Sequence, residues 1–107
     1  MTIEANAQEE VIQQVLRIAD PDRVILFGSY ARGDQRRDSD LDILIVMPSS
    51  EPRQKRARPF YRALSNLPVE VDVIVYTPQE IEDWGDVPLA FITTAIREGR
   101  VLYEKAA

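Results

Sequence analysis

Hydrophobic residues recur with a helical period near the start of the chain. Between Ala5 and Ala19, the residues Val11, Val15 and Ile18 stand four and three positions apart, which predicts a helix with one apolar face. Asp20-Pro21 follows, and the residue before a proline is pushed out of the helical region. We therefore expect this helix to end there.

Three later segments are short and apolar, as buried strands are. Val24 to Phe27 is a continuous apolar run, which predicts a strand covered on both faces. Residues 40–47 and 69–77 alternate with period two, which predicts two further strands. The faces of the first are Leu41, Ile43, Ile45 and Met47 against Asp40, Asp42, Leu44 and Val46, and those of the second are Val71, Val73 and Val75 against Glu70, Asp72, Ile74 and Tyr76.

Residues 51–67 begin as a basic stretch and continue as an amphipathic one. Phe60, Leu64 and Leu67 have helical spacing, but Pro59 interrupts a helix because it removes a backbone hydrogen bond and clashes with the preceding turn. We expect either a kink at Pro59 or a helix that starts there. The basic residues are Arg53, Lys55, Arg56, Arg58 and Arg62. They are interpreted as a solvated helix face or as a docking surface for an acidic partner.

The last third of the chain predicts two more helices and a strand. Thr77 and Glu80 have the spacing of a capping box, with a proline at the first helical position, so a helix starts there. A second start falls near Asp86 to Pro88. The apolar stripe after it is Leu89, Ile92 and Ile96. Gly99 is expected to cap that helix, and Val101 to Tyr103 predict an edge strand.

Strands that alternate with helices, without a repeat or a linker, predict one α/β domain over residues 1–107. Its mixed sheet would be flanked by helices. The first residues lack an apolar signal-peptide core, and no run reaches the roughly 18 apolar residues of a membrane span. We therefore expect a soluble cytoplasmic protein without membrane association.

Composition restricts the chemistry that the chain can support. With no cysteine and no histidine, thiolate and imidazole metal sites are excluded, and a general base must be a carboxylate, a lysine, a tyrosine or water. A metal site must then be built from oxygen ligands, which suit hard cations such as Mg²⁺, Mn²⁺ or Ca²⁺. The net charge of −5 argues against direct DNA binding, which needs a cationic surface.

Carboxylates within apolar strands are the most informative feature of the sequence. Asp40 and Asp42 lie two apart on one strand face, so their side chains emerge roughly 6–7 Å apart on the same side. Asp72 lies in the middle of the valine-rich strand VEVDVIV, although Glu70 shares its face and is an alternative. Clustered carboxylates repel each other unless a cation neutralises them, so this set predicts a divalent metal site. The alternative without a ligand is that these aspartates lie on a solvent-facing strand edge.

The turn after the first strand is a candidate phosphate site. Gly28 allows close approach of a ligand to the backbone, and the following N–H groups form an anion-binding concavity. The Ser29 hydroxyl is a further donor, and Arg32 offers a fork of donors to the same group. The alternatives are a plain strand-ending turn for Gly28 and Ser29, and a surface role for Arg32.

These features together resemble a known family. The string FGSYARGDQRRDSDLDILIV is similar to the minimal nucleotidyltransferases of the DNA polymerase beta superfamily, whose pattern is Gly-Ser, about ten residues, and Asp-x-Asp in an apolar strand. Here Gly28-Ser29, ten intervening residues and Asp40-Leu41-Asp42 match that pattern, and Asp72 is the natural third carboxylate. The ending REGRVLYE also resembles the close of these proteins. The resemblance implies the nucleotidyltransferase fold, a mixed sheet flanked by helices.

The resemblance also implies the chemistry. A nucleotidyl group, AMP from ATP in the common case, would move to an acceptor hydroxyl with release of pyrophosphate. Asp40 and Asp42 would ligate two Mg²⁺ ions, with Mn²⁺ as an alternative. Asp72 would hold the catalytic ion beside the acceptor and take its proton, and Gly28, Ser29 and Arg32 would bind the phosphates.

Small stand-alone members of the family resemble the antitoxin of a toxin–antitoxin pair. The partner there is a HEPN-domain ribonuclease toxin, which is silenced by AMPylation of a tyrosine. We therefore expect a hetero-oligomer with such a toxin. The alternatives are an antitoxin that acts by binding alone, and nucleotide transfer to a small molecule or to RNA.

Overall fold

A computed structural model of the chain describes residues 3–36, 39–84 and 91–106. Four strands and six helices lie within these ranges. In chain order they are α1 (Ile3–Ile18), β1 (Arg23–Phe27), α2 (Ser29–Arg32), β2 (Leu41–Val46), α3 (Arg53–Arg56), α4 (Arg58–Ala63), β3 (Val71–Tyr76), α5 (Pro78–Trp84), α6 (Phe91–Glu98) and β4 (Arg100–Glu104). In the part of the chain so described, no helix is long and apolar enough to cross a membrane.

The four strands form one mixed sheet in the order β3-β2-β1-β4. β1 pairs antiparallel with β2 and β4, whereas β2 and β3 are parallel. Parallel neighbours need a crossover connection, and α3 and α4 provide it between β2 and β3. The α/β class and the mixed sheet predicted from the sequence are therefore confirmed, with β3 and β4 at the two edges.

Each face of the sheet packs against its own helices, as the period of two requires. The larger core contains Val11 and Val15 of α1, Phe60 of α4, and the odd-numbered apolar residues of β2 and β3. The smaller core contains Leu44 of β2 and Ile92 of α6. The strand faces predicted from the sequence are thus confirmed, and Asp42 lies on the face that α6 covers.

The segment predicted over residues 51–67 divides into two short helices. α3 ends at Arg56 and α4 begins at Arg58, so the break falls at Ala57, two residues before Pro59. Pro59 lies in the first turn of α4, where its missing N–H has no intrahelical acceptor to lose. The helix therefore starts just before Pro59 rather than kinking at it.

The capping box at the start of α5 is confirmed. The Thr77 N–H donates to Glu80 Oε1 at 2.8 Å, and the Glu80 N–H donates to Thr77 Oγ1 at 3.1 Å. Each side chain thereby satisfies a backbone donor of the first helical turn. The second helix start predicted near Asp86 to Pro88, and Leu89 of the apolar stripe, lie outside the described residues.

Gly99 ends α6 for a different reason from the one predicted. Among the described residues, only Gly28 and Gly33 have positive φ angles, so Gly99 is not a left-handed cap. A Cβ atom at this position would lie 2.5 Å from the Ala95 carbonyl oxygen and 2.6 Å from Ile25 Cγ2. The missing side chain therefore lets the end of α6 pass directly over β1.

Candidate active site

The register of the sheet brings two of the predicted carboxylates side by side. Asp42 of β2 lies opposite Asp72 of β3 in the parallel ladder, and opposite Phe27, the last residue of β1, in the antiparallel ladder. Adjacent strands are about 4.8 Å apart. Asp40 precedes β2 by one residue, and its carboxyl group is near enough to that of Asp72 to help raise the pKa of Asp72. The structure thus brings together the three aspartates that the sequence singled out.

Gly28 packs directly against this cluster. Its φ and ψ angles are 73° and −152°, a backbone region essentially restricted to glycine. A Cβ atom on Gly28 would overlap Asp42 Oδ2 and lie 3.1 Å from Asp42 Cγ. The turn after β1 therefore approaches the Asp42 carboxylate so closely that only glycine fits.

An open cavity of about 440 Å³ lies in front of these groups. Gly28, Asp42 and Asp72 form one wall, and Thr94 and Glu98 of α6 form another. Pockets that hold small ligands commonly measure about 300–1,000 Å³, so this cavity has room for a nucleotide. We call it the aspartate cleft.

Burial and mutual repulsion disturb the ionisation of the aspartates. The pKa of Asp42 is raised, first because the carboxyl is partly buried and then because Asp72 and Asp40 are negative neighbours, while Arg32 opposes the change. The pKa of Asp72 is raised by partial burial, by its hydrogen bond to Asp40 and by the charges of Asp40 and Glu70. A cation at this place would relieve the repulsion.

The carboxylates supply at most a partial set of ligands for a metal ion. In residues 3–36, 39–84 and 91–106, no three acidic side chains converge closely enough to hold an ion alone. Mg²⁺ usually takes one or two carboxylates and fills its octahedral shell with water and substrate phosphate oxygens. Asp40, Asp42 and Asp72 therefore suit Mg²⁺ as a partial ligand set. Of the four candidate carboxylates, Asp42 and Asp72 line the cleft, whereas Asp40 and Glu70, the alternative to Asp72, are not among its lining residues.

Two of the three predicted phosphate-binding residues, Gly28 and Arg32, line the aspartate cleft, and Ser29 follows Gly28 in the chain. Ser29 begins α2, whose first hydrogen bonds run from the amides of Ala31 and Arg32 to the Gly28 carbonyl. The Ser29 and Tyr30 amides thus precede the helix's own hydrogen bonds, as the first amides of any helix do. These two amides therefore have no acceptor within α2.

Arg32 lies across the cleft mouth between two carboxylates. Its Nε atom is 3.2 Å from Asp34 Oδ2, and one guanidinium NH group is 3.8 Å from Glu98 Oε2 of α6. Both pairs are well exposed, and such ion pairs contribute little to stability. Because Arg32 also lines the aspartate cleft, exchanging these partners for an anion in the cleft would cost little stability.

One member of the predicted basic surface has a structural role instead. Arg56 is only 10% exposed and pairs with Glu80 Oε1 at 2.7 Å, while its other hydrogen bonds go to the Val75 and Glu51 carbonyl oxygens. Burial alone would raise the pKa of Glu80, but hydrogen bonds from Arg56 and Thr77 lower it below its usual value. Arg56 thus ties α3 to β3 and α5, and neither interpretation of the basic stretch applies to it.

The α6 wall of the cleft was missed by the sequence analysis. Thr94 and Glu98 are four residues apart, so they share a helix face, and both line the aspartate cleft. The apolar stripe of this helix predicts only its buried face. The polar pair could have been noticed, but only the packing of α6 over β1 and β2 shows that it faces the aspartates.

The sequence matches a known protein family over most of its length. Residues 8–102 match the family described as "Nucleotidyltransferase domain". A curated protein of Methanocaldococcus jannaschii, "Putative protein adenylyltransferase MJ0141", is 38% identical over 74 residues, which cover 60% of this chain and 75% of that protein.

Solved structures share the fold at low sequence identity. The crystal structure of "a putative nucleotidyltransferase from Sulfolobus solfataricus" aligns with a TM-score of 0.62 and 21% identity, covering 98% of this chain and 90% of that one. A toxin–antitoxin crystal structure with AMP-PNP aligns with a TM-score of 0.56 and 22% identity, covering 92% of this chain and 73% of that one. The structure of a tri-AMPylated HEPN toxin of Shewanella oneidensis in complex with MNT antitoxin contains a chain that aligns with a TM-score of 0.53 and 18% identity. The alignment covers 94% of this chain and 72% of that one.

Proposed function

The chain belongs to the nucleotidyltransferase domain family, and we propose that it moves AMP from ATP to a tyrosine of a HEPN-domain toxin and thereby acts as an antitoxin. The relative named as a protein adenylyltransferase supports the choice of donor group and of a protein acceptor. The fold shared with an MNT antitoxin, whose HEPN partner is tri-AMPylated, supports the choice of partner.

The observation that carries the proposal is the pairing of Asp42 with Asp72 beneath an open cleft. Two repelling carboxylates on adjacent strands are unfavourable unless they serve a ligand. Gly28 adds a turn that fits only without a side chain, in contact with Asp42. This combination suits a metal-bound triphosphate better than a neutral substrate.

The residues of the candidate site divide the tasks of the proposed reaction among them. The amides after Gly28, the Ser29 hydroxyl and the Arg32 guanidinium hold the phosphates. The acceptor oxygen forms a bond to the α-phosphorus, the bond from that phosphorus to the bridging oxygen of the β-phosphate breaks, and pyrophosphate leaves. Asp72 takes the acceptor's proton directly or through a water molecule. Mg²⁺ held by Asp40, Asp42 and Asp72 would supply charge neutralisation for the attacking and leaving oxygens.

Coexpression with the protein encoded next to this chain tests the proposal. Intact-mass spectra of that partner are expected to show added adenylyl groups with the wild-type chain and none with Asp42→Asn. Tryptic mapping should locate the groups on tyrosine, and the Tyr→Phe partner should stay unmodified. An unmodified partner beside the wild-type chain would contradict the proposal.

The binding-only alternative is separated by the same variant. If the antitoxin acts by catalysis, Asp42→Asn loses protection of the host cell while the complex still forms in a pull-down. If protection persists without modification of the partner, the chain acts by covering the toxin.

A further inference from the structure

The aspartate cleft continues along the edge of the sheet. β3 is an edge strand, and Ile74, two residues after Asp72, lines both the aspartate cleft and a second cavity of about 430 Å³. Arg53, Tyr61 and Tyr76 are among the residues around the second cavity. A molecule bound in that cavity would therefore lie next to Asp72, where the acceptor hydroxyl is expected.

Side chains already occupy the outer backbone groups of this edge. The Val73 N–H donates to the Tyr61 hydroxyl at 2.9 Å, and an Arg56 guanidinium NH donates to the Val75 carbonyl oxygen at 3.3 Å. An incoming strand would have to displace both contacts to pair with β3. A ligand of this surface is therefore recognised by side chains rather than by strand addition.

The surface around the second cavity is cationic, although the whole chain carries a net charge of −5. The Arg53 guanidinium stacks over the Tyr76 ring, 5.0 Å from its centre, and Arg58 is three residues before Tyr61 on α4. Within the described ranges, the ion pairs involve neither Arg53 nor Arg58. Both arginines are exposed, so their charges are available to an acidic ligand.

We propose that this surface, formed by Arg53, Arg58, Tyr61 and Tyr76, binds an acidic segment of the protein that carries the acceptor tyrosine. This inference rests on the proposed function and adds how the acceptor protein is recognised. Asp72 and Tyr76 are four residues apart on an extended strand, which is about 13 Å. An extended segment with its tyrosine at Asp72 would therefore place a residue about four positions away beside Arg53.

Fluorescence anisotropy with defined peptides tests the proposal without requiring catalysis. The probes are fluorescein-labelled peptides with one tyrosine and with glutamates about four residues to either side, and the same peptides with lysines instead. We expect the wild-type chain, in EDTA and without ATP, to bind the glutamate peptide and not the lysine peptide. Arg53→Glu and Arg58→Glu should each weaken binding about tenfold, because like charges then face each other.

Lys55→Glu is the matched control. Lys55 lies two residues from Arg53 on the same helix, but it lines another cavity with Ile18 and Met47, and the change in net charge is identical. Equal loss of binding in Lys55→Glu and Arg53→Glu would overturn the proposal, since only overall charge would then matter. Equal binding of both peptides, or displacement of the glutamate peptide by an oligouridylate, would also overturn it, the latter in favour of nucleic acid.

Failure of this inference is distinguishable from failure of the proposed function. If the coexpressed partner is adenylylated and Arg53→Glu leaves the KM for that partner unchanged, the function stands and the recognition surface is wrong. If the glutamate peptide binds as expected but no protein is adenylylated, the surface stands and the proposed activity fails.

Discussion

Replacing Gly28 with alanine is expected to damage both stability and the active site. The φ and ψ angles of 73° and −152° cost a residue with a side chain about 1–3 kcal/mol. The added Cβ overlaps Asp42 Oδ2, and comparable overpacking costs about 1–3 kcal/mol. Together these terms predict a loss of about 2–6 kcal/mol in the free energy of unfolding, which corresponds to roughly 8–24 °C in Tm at about 4 °C per kcal/mol.

Gly33→Ala provides the matched control. Gly33 also has a positive φ, 80°, but a Cβ there meets nothing within 4 Å. The substitution should lower stability by about 1–2 kcal/mol, the usual penalty of a left-handed non-glycine residue. It should leave nucleotide binding unchanged, whereas Gly28→Ala should weaken it by pushing the Asp42 carboxylate away.

A double-mutant cycle separates the contact from the backbone strain. In an Asp42→Ala background the carboxylate is gone, and the nearest remaining atom of residue 42 is its Cβ at 3.4 Å. The Gly28→Ala change should then cost only the backbone term, about 1–3 kcal/mol. Urea denaturation followed by circular dichroism measures all four chains. If Gly28→Ala proved no worse than Gly33→Ala, or its cost did not fall in the Asp42→Ala background, the reasoning would be refuted.

Three further predictions follow from charged contacts. The pKa of Asp42 is raised in the folded state, so the metal-free wild-type protein loses stability as the pH rises through that pKa. Asp42→Asn should therefore be the more stable protein at pH 7 in EDTA, and the difference in stability should shrink as the pH falls. Thermal melts across pH measure this difference. Arg56→Ala should lower the free energy of unfolding by about 2–3 kcal/mol in urea titrations. This cost is smaller than that of breaking a fully buried ion pair, because Glu80 keeps 29% exposure. An unchanged midpoint would contradict a structural role for Arg56. Glu98→Gln removes a carboxylate from the cleft and releases Arg32, so calorimetry should find Mg²⁺-ATP binding about 1.5- to 5-fold tighter. Unchanged affinity would mean that Arg32 does not reach the phosphates.

The faces of β2 and β3 were predictable because strand geometry leaves little choice. A strict period of two assigns Asp42 and Asp72 to the same side as their apolar neighbours Leu44 and Ile74. The capping box at Thr77 was equally local, since both partners lie within four residues. Local rules therefore gave the elements and the orientation of the carboxylates.

Contacts between distant segments could not be predicted in this way. The pairing of Asp42 with Asp72 depends on the register between β2 and β3, which a one-residue slip would destroy. Arg56 looked like its solvated basic neighbours, and only the position of Glu80 after β3 gives it a partly buried partner. Gly99 looked like a cap, although the Ile25 side chain under α6 is what excludes a side chain there.

A thermal-shift titration with ATP tests the central claim, that the aspartate cleft binds a metal-bound triphosphate. Wild-type protein, the Asp40→Asn, Asp42→Asn double variant and Gly33→Ala would be compared with ATP in Mg²⁺ and in EDTA. At 100 times its dissociation constant a ligand adds about 2.7 kcal/mol of stability, roughly 10 °C for a domain of this size. Wild type and Gly33→Ala are expected to show that rise in Mg²⁺ only, and the double aspartate variant is expected to show none. An equal rise in EDTA or in that variant would place the nucleotide elsewhere and contradict a metal-dependent site in the aspartate cleft.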